Sequence, residues 1–161
     1  MKRFWWWLDR ALELLCALGC LVLVGVSFAG VIFRYAFNNS LVWSEELARY
    51  LFIWLIFLGA AIGVRERNHI AFDLFGSSLG PRGGQALEWL VRVATLAFAA
   101  SLIVPGWRFV VVGMSNASPA LEIPMGWVYL APVVGGLLMS AYLFRPGAGG
   151  KGSNAAAPPP C

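Results

Sequence analysis

Four apolar runs, each long enough to cross a lipid bilayer, limit what this chain can fold into. The first of them, residues 14–33, contains no charged residue and matches the roughly 20 residues that a membrane-spanning helix requires. Three further runs of similar character follow along the chain. The sequence therefore predicts an all-α integral membrane protein, a four-helix bundle with helices at about 11–35, 44–64, 86–112 and 125–144.

The amino-acid composition agrees with a membrane protein. Of the 161 residues, 60% are hydrophobic and 12% are charged, whereas a soluble domain of this size would expose far more charge. The net charge of +4 does not indicate nucleic-acid binding, because the arginines are scattered around the apolar runs instead of lying on one face. We therefore predict membrane lipid, and no nucleic acid, around a transmembrane domain of residues 1–145.

The segments between the apolar runs contain residues that disfavour helices. Residues 65–84 are polar and include Gly76, Gly80 and Pro81, which predicts a break between the second and third helices. Pro105 should kink or end the third helix. Residues 146–161 consist mainly of Gly, Ala and Pro, which predicts a disordered tail.

The distribution of Lys and Arg predicts the orientation of the helices, because these residues favour the cytoplasmic side. Of the 12 such residues, three flank the helix ends on one side, namely Arg34, Arg49 and Arg108. The others lie on the opposite side: Lys2, Arg3, Arg10, Arg65, Arg67, Arg82, Arg92, Arg145 and Lys151. Both termini and residues 65–84 are therefore predicted to be cytoplasmic, and residues 115–125 to face outward.

Residues 33–73 place charged and aromatic side chains at both ends of the second helix. Ser44 is predicted to cap this helix, with Glu45 and Glu46 in its first turn, where the helix dipole favours carboxylates. Arg49 and Tyr50 follow four residues after these two acids and can contact them along the helix surface. Polar groups so close to the apolar layer are costly to bury, which indicates a protein or water partner. The alternative is that they are interfacial anchors of a kind found on many membrane helices.

Small residues predict where other helices can approach. Gly59 and Gly63 form a Gly-x-x-x-Gly surface on the second helix, and Gly136 and Ser140 form a similar one on the fourth. Pro124 is well placed to open the fourth helix, since a proline in the first turn sacrifices no helical hydrogen bond.

The sequence contains no constellation that predicts catalysis or a cofactor site. No Ser or Cys nucleophile has a nearby His base, and no phosphate-binding glycine loop is present. Cys16 and Cys20 have no further ligands nearby for a metal, and His69 alone cannot supply the paired ligands of a haem. We therefore predict no enzyme, metal or cofactor. A small proton-coupled exporter that uses Glu13 is the alternative to a non-transporting subunit.

Two stretches of the sequence resemble a known family. F-R-Y…W-S-E-E-L-A-R-Y-L-F-I-W-L-I-F-L-G-A-A…R-E-R-N-H-I-A-F-D-L resembles the small permease subunit, of the DctQ type, of tripartite ATP-independent periplasmic (TRAP) transporters. The later stretch S-P-A-L-E-I-P-M-G-W-V-Y-L-A-P-V-V-G-G looks like the start of the fourth helix in the same family. Glu122 departs from the pattern, because the resemblance leads us to expect glycine or another small residue there.

The resemblance implies a role in the bacterial inner membrane. A periplasmic binding protein captures an organic acid, a large permease carries it inward with sodium, and the small subunit acts as a scaffold that helps the binding protein dock. It also directs attention to a set of residues that we predict to contact the other subunits: Arg34, Trp43, Glu45, Glu46, Arg49, Tyr50, Gly59, Gly63, His69, Asp73, Pro124 and Trp127.

Overall fold

The protein folds into three helices that provide four membrane-length segments. The structure, a computed structural model, describes the backbone of residues 2–39 and 41–144, and their side chains apart from those of residues 2, 4, 67–85, 87 and 88. The helices are α1 (Lys2–Ala36), α2 (Val42–Gly113) and α3 (Gly126–Leu143). The segments long and apolar enough to cross a membrane are span 1 (Trp5–Ala36), span 2 (Val42–Glu66), span 3 (Trp89–Gly113) and span 4 (Gly126–Leu143). The predicted all-α, four-helix membrane fold is confirmed.

Spans 2 and 3 are the two halves of α2, whereas the sequence predicted a break at residues 65–84. The backbone is helical throughout this segment, so the predicted loss of helical structure is not observed, although the two spans are separate as predicted. Gly and Pro lower helix stability by about 1 and 3 kcal/mol each without forbidding a helix, and a helix keeps backbone N–H and C=O groups paired. For the same reason Pro105 does not end the helix, which continues to Gly113. The predicted disordered tail of residues 146–161 lies outside the described residues.

The two halves of α2 lie side by side against α3. Gly135 of α3 approaches Phe57 in span 2, and the adjacent Gly136 approaches Ala99 and Ile103 in span 3. In a straight helix, Phe57 and Ile103 would be about 69 Å apart at 1.5 Å per residue. The chain therefore reverses direction between residues 66 and 89, and span 3 runs antiparallel to span 2.

The two adjacent glycines allow span 4 to sit in the middle of the bundle. A Cβ atom built on Gly135 would lie 2.8 Å from the Phe57 Cβ, and one built on Gly136 would lie 3.1 Å from the Ala99 carbonyl oxygen. Such close approach is how membrane helices gain packing energy, because lipid removes the hydrophobic drive between them. The predicted small-residue surface at Gly136 is confirmed as a contact within the bundle.

The buried core is small and lies towards one end of the bundle. It joins residues from all four spans, namely Leu12, Ala61, Ala99, Met139 and Tyr142. Span 1 runs antiparallel to span 2, with Gly19 against Leu55 and Gly30 against Ser44. Most of the apolar side chains of span 1 are nevertheless exposed, as expected for a helix that faces lipid or another protein.

The bundle has two ends that carry different polar groups. We call the end where α1 passes to α2 and α2 passes to α3 the loop end, and the opposite end, which contains Arg65, the Arg65 end. The sequence predicts that the loop end faces outward and that the Arg65 end is cytoplasmic.

Candidate functional site

Two neighbouring acids at the start of α2, Glu45 and Glu46, face different sides of the helix. The helix begins at Val42, with Leu41 as the residue before it, so the prediction that Ser44 caps the helix is wrong. The Ser44 hydroxyl lies inside the helix and donates to the Leu41 carbonyl oxygen at 2.7 Å. Successive residues of a helix face different sides, so Glu45 is exposed in the first turn, whereas Glu46 points into the protein and is only 8% exposed.

Glu46 binds the loop that connects α2 to α3. One carboxylate oxygen accepts hydrogen bonds from the backbone N–H groups of Ala120 and Leu121, each at 2.9 Å. The other oxygen accepts one from the Tyr50 hydroxyl, which also lies 3.6 Å from the Met125 sulfur. The predicted contact between Glu46 and Tyr50 is confirmed. Burying a carboxylate is costly unless donors replace its water, and these three donors do so.

The loop has the backbone shape needed to present two successive N–H groups. Residues 117 and 124 pair in an antiparallel bridge, and the Ser118 N–H donates to the Ile123 carbonyl oxygen at 2.9 Å. Glu122 has a φ of +53°, a left-handed conformation that glycine adopts most easily. This conformation is consistent with glycine, one of the small residues expected at position 122. Successive N–H groups beside such a residue form a concave anion-binding surface, and here the anion is the Glu46 carboxylate.

Ser118 is the polar side chain of this loop that lies deepest. It is 3% exposed, and its side chain lies beside those of Glu46 and Tyr50. It lies in the same loop as the two N–H groups that hold Glu46, so this side of the loop faces the Glu46 carboxylate.

A second polar contact at the loop end joins α1 to α2. Arg34 forms an ion pair with Glu45, and both side chains are about half exposed. The anticipated pairing of Glu45 with Arg49 is not observed, because Arg34 lies closer to the carboxylate; Arg49 is exposed. Trp43 and Trp127 are also exposed at this end, with 43% and 58% of their surface accessible.

Two of the predicted contact residues face open space. Nothing in the described chain lies within 4 Å of a Cβ atom built on Gly59 or on Gly63. Their backbone is therefore accessible to another helix, in contrast to Gly135 and Gly136, which are already packed. Pro124 lies two residues before α3, where its carbonyl oxygen accepts from the Trp127 N–H at 3.2 Å. His69 and Asp73 lie outside the described side chains.

The Arg65 end contains a polar network that was not among the predicted site residues. Arg65 is 18% exposed and contacts Glu13 at 2.8 Å and Asp9 at 3.5 Å. The Tyr142 hydroxyl donates to Asp9 at 2.8 Å, so the network connects spans 1, 2 and 4. Opposite charges at the start of one helix and the end of the next were a usable signal, since antiparallel packing brings those ends together.

The site contains pairing groups and no reactive constellation. Within the described residues, no three His, Cys, Asp or Glu side chains are arranged to hold a metal ion. The two polar clusters lie at opposite ends of the bundle, and the core cluster that includes Tyr142 adjoins the one at the Arg65 end. This arrangement fastens helices and a loop together, and leaves exposed glycines and aromatic side chains on the outside.

Comparison with known proteins gives a consistent result. Residues 23–145 match the family model of the DctQ component of tripartite ATP-independent periplasmic transporters. A protein of Haemophilus influenzae with the provisional name TRAP transporter small permease protein is 33% identical over 144 residues, which is 89% of each chain. The C4-dicarboxylate TRAP transporter small permease protein DctQ of Vibrio cholerae is 35% identical over 85 residues, or 52% of this chain and 36% of that protein.

Some of the relatives are much longer than this chain. The isethionate TRAP transporter permease protein DctMQ of Oleidesulfovibrio alaskensis is 32% identical over 111 residues. The match covers 67% of this chain and only 17% of that protein, so a segment like this chain is part of a larger polypeptide there.

Proposed function

The chain belongs to the DctQ component family of tripartite ATP-independent periplasmic transporters, and from this membership we propose that it is the scaffold of a larger permease. In this proposal it lies in the bacterial inner membrane with both termini cytoplasmic. The large permease carries an organic acid inward with sodium, after a periplasmic binding protein has delivered it. The small subunit itself moves no substrate.

The observation that carries the proposal is the open surface at Gly59 and Gly63. Glycines in a membrane helix serve close helix–helix contact, and this pair makes no such contact within its own bundle. A helix of the large permease would fit here, with its backbone against span 2. The long DctMQ relative supports a permanent association between the small subunit and the large permease, because its name and its length indicate that both are parts of one polypeptide.

The exposed side chains at the loop end would contact the periplasmic binding protein when it docks. Trp43, Arg49 and Trp127 are accessible there, next to the half-exposed pair of Arg34 and Glu45. In the predicted orientation they face the periplasm, where a binding protein arrives. Glu46 and Tyr50 are buried and would contribute by holding the loop in shape.

The exporter hypothesis is less well supported by the surroundings of Glu13. This carboxylate pairs with Arg65 at 2.8 Å and lies 3.8 Å from Arg10, at the Arg65 end of the bundle. A proton-coupling carboxylate would be expected in contact with a pathway through the middle of the membrane. The buried ionisable groups of the described spans lie at the two ends of the bundle: Tyr142 is bound to Asp9, and Glu46 is bound to the α2–α3 loop and to Tyr50.

The proposal is tested by blocking the glycine surface. Gly59→Leu and Gly63→Leu should lower recovery of the complex with the large permease by about ten-fold, which corresponds to about 1.4 kcal/mol of association energy. Gly25→Leu is the matched control, because Gly25 in span 1 also has nothing within 4 Å of its Cβ position. Equal recovery of all three variants would exclude this surface as the contact.

A second measurement separates scaffold from transporter. The purified chain alone, in proteoliposomes with a sodium or proton gradient, should move no organic acid. Gradient-driven flux through the chain alone that is lost in Glu13→Gln would refute the scaffold proposal and support the exporter.

A further inference from the structure

A cleft at the loop end lies between the last turns of α1 and the first turns of α2. Its volume is about 250 Å³. Its lining includes the polar, charged and aromatic residues Ser27, Arg34, Tyr35, Ser44 and Glu45, and also Gly30. Gly30 keeps the two helices close together, since a Cβ atom at this position would lie 2.8 Å from the Ser44 hydroxyl oxygen.

The cleft changes in polarity with depth. Arg34 and Glu45 are half exposed and belong to the outermost turns of their helices. Ser27 lies seven residues before Arg34, about 10 Å deeper along α1 at 1.5 Å per residue. Val31 and Ala48 contribute apolar wall between these levels. A ligand would thus meet two opposite charges outside and an apolar wall with a hydroxyl group inside.

The ion pair leaves both of its charges available to a ligand. It joins one guanidinium nitrogen of Arg34 to one carboxylate oxygen of Glu45. A guanidinium has five N–H donors and a carboxylate has two acceptor oxygens, so both groups retain bonding capacity. Half-exposed pairs of this kind contribute little stability, and therefore little is lost when a ligand carrying both charges inserts between them.

We propose that this cleft binds the headgroup of a zwitterionic phospholipid with a primary ammonium group. The phosphate would bind Arg34, the ammonium would bind Glu45, and the glycerol region would extend along the apolar wall towards Ser27. A lipid is favoured over a soluble phosphate ester because the cleft lies between two membrane spans. Tyr35, which is 81% exposed, lies at its rim, as aromatic side chains at the headgroup level do.

The experiment measures lipid retained by the full-length chain after purification from membranes of defined composition. Native mass spectrometry would compare phosphatidylethanolamine, phosphatidylcholine and phosphatidylglycerol, with soluble phosphoethanolamine as a competitor. Wild-type protein should retain phosphatidylethanolamine most strongly. Phosphatidylcholine has no N–H donor for Glu45, and phosphatidylglycerol has no cationic group. Phosphoethanolamine should compete only weakly, because it lacks the glycerol and acyl chains.

Two variants and a control connect the measurement to the cleft. Arg34→Gln should reduce retention of phosphatidylethanolamine about ten-fold or more, since it removes charge-assisted hydrogen bonds to the phosphate. Glu45→Gln should abolish the preference over phosphatidylglycerol. Arg108→Gln removes an exposed arginine in span 3 that does not line the cleft and should change neither value.

Three results would overturn the proposal. One is equal retention of all three lipids by the wild type, which requires no variant to fold. Another is retention by Arg34→Gln equal to that of Arg108→Gln. The last is full competition by phosphoethanolamine, which would identify a soluble phosphate ester as the ligand.

Discussion

Replacing Glu46 with alanine is the most direct test of how the loop end is built. The carboxylate is the acceptor for the Ala120 and Leu121 N–H groups, and these two bonds connect the start of α2 to residues about 75 positions later. We expect Glu46→Ala to release residues 118–123 from the bundle while leaving the helices intact. Helix packing depends on other contacts, chiefly those of Gly135 and Gly136.

The magnitude follows from the number and kind of hydrogen bonds. A hydrogen bond to a charged group contributes about 1.5–3 kcal/mol, so two such bonds would give about 3–6 kcal/mol. Ala120 and Leu121 are only half-buried, and water can replace part of the loss. We therefore expect a local destabilisation of about 2–4 kcal/mol for Glu46→Ala. Glu46→Gln, which keeps one acceptor oxygen, should cost about half as much.

Hydrogen exchange of the purified protein in lipid nanodiscs measures the local opening of residues 118–123 directly. An opening equilibrium shifted by 2–4 kcal/mol corresponds to about 30- to 700-fold faster exchange in a peptide containing residues 118–123. Glu45→Ala is the matched control. The Glu45 carboxylate is adjacent in sequence but pairs with Arg34 instead of binding the loop. If Glu46→Ala and Glu45→Ala exchange equally fast in this peptide, the carboxylate does not hold the loop and the reasoning is refuted.

Three further predictions concern orientation, docking and backbone strain. In a chain without native cysteines, Asn116→Cys should react with an impermeant thiol reagent in intact cells and Ser78→Cys should not; the opposite pattern would invert the topology. Arg49→Ala should reduce substrate uptake by the assembled transporter by about ten-fold or more if the arginine meets a partner in a shielded contact, whereas Lys151→Ala should leave uptake unchanged; equal uptake by both variants would favour a simple interfacial anchor. Glu122→Gly should raise the melting temperature by about 2–4 °C, because glycine removes a left-handed strain of about 1 kcal/mol; no rise, or a fall, would show that the φ of +53° carries no such strain.

The features that depend on local patterns could be predicted from the sequence. Run length and composition predicted four spans, and the part of the chain that the structure describes contains four. The spacing of four residues between Glu46 and Tyr50 predicted their contact, because residues at this separation are neighbours on a helix. The resemblance to a family led us to expect glycine or another small residue at position 122, and the left-handed backbone of Glu122 is one that glycine adopts most easily.

The features that were missed depend on contacts between distant parts of the chain. The hydrogen bonds from Ala120 and Leu121 to Glu46 have no periodic signal, since backbone N–H groups are present at almost every residue. Arg65 was read as a charge that sets topology, whereas its pairing with Asp9 appears only when α1 and α2 are packed antiparallel. The start of α2 was placed two residues late, because Ser44 has the chemistry of a cap and the backbone at Leu41 decided otherwise.

The long sequence separation within the Glu46 site has a consequence for how the protein is made. Ribosomes add about 5–20 residues per second, so the amides of Ala120 and Leu121 emerge roughly 4–15 s after Glu46. During that interval span 2 enters the membrane with its carboxylate unpaired by the loop. The position of Glu46 close to the start of α2 makes this delay tolerable, because headgroup water can solvate it there. A nascent chain that stops before residue 120 would lack two of the three donors that bind Glu46 and would keep only the Tyr50 hydroxyl.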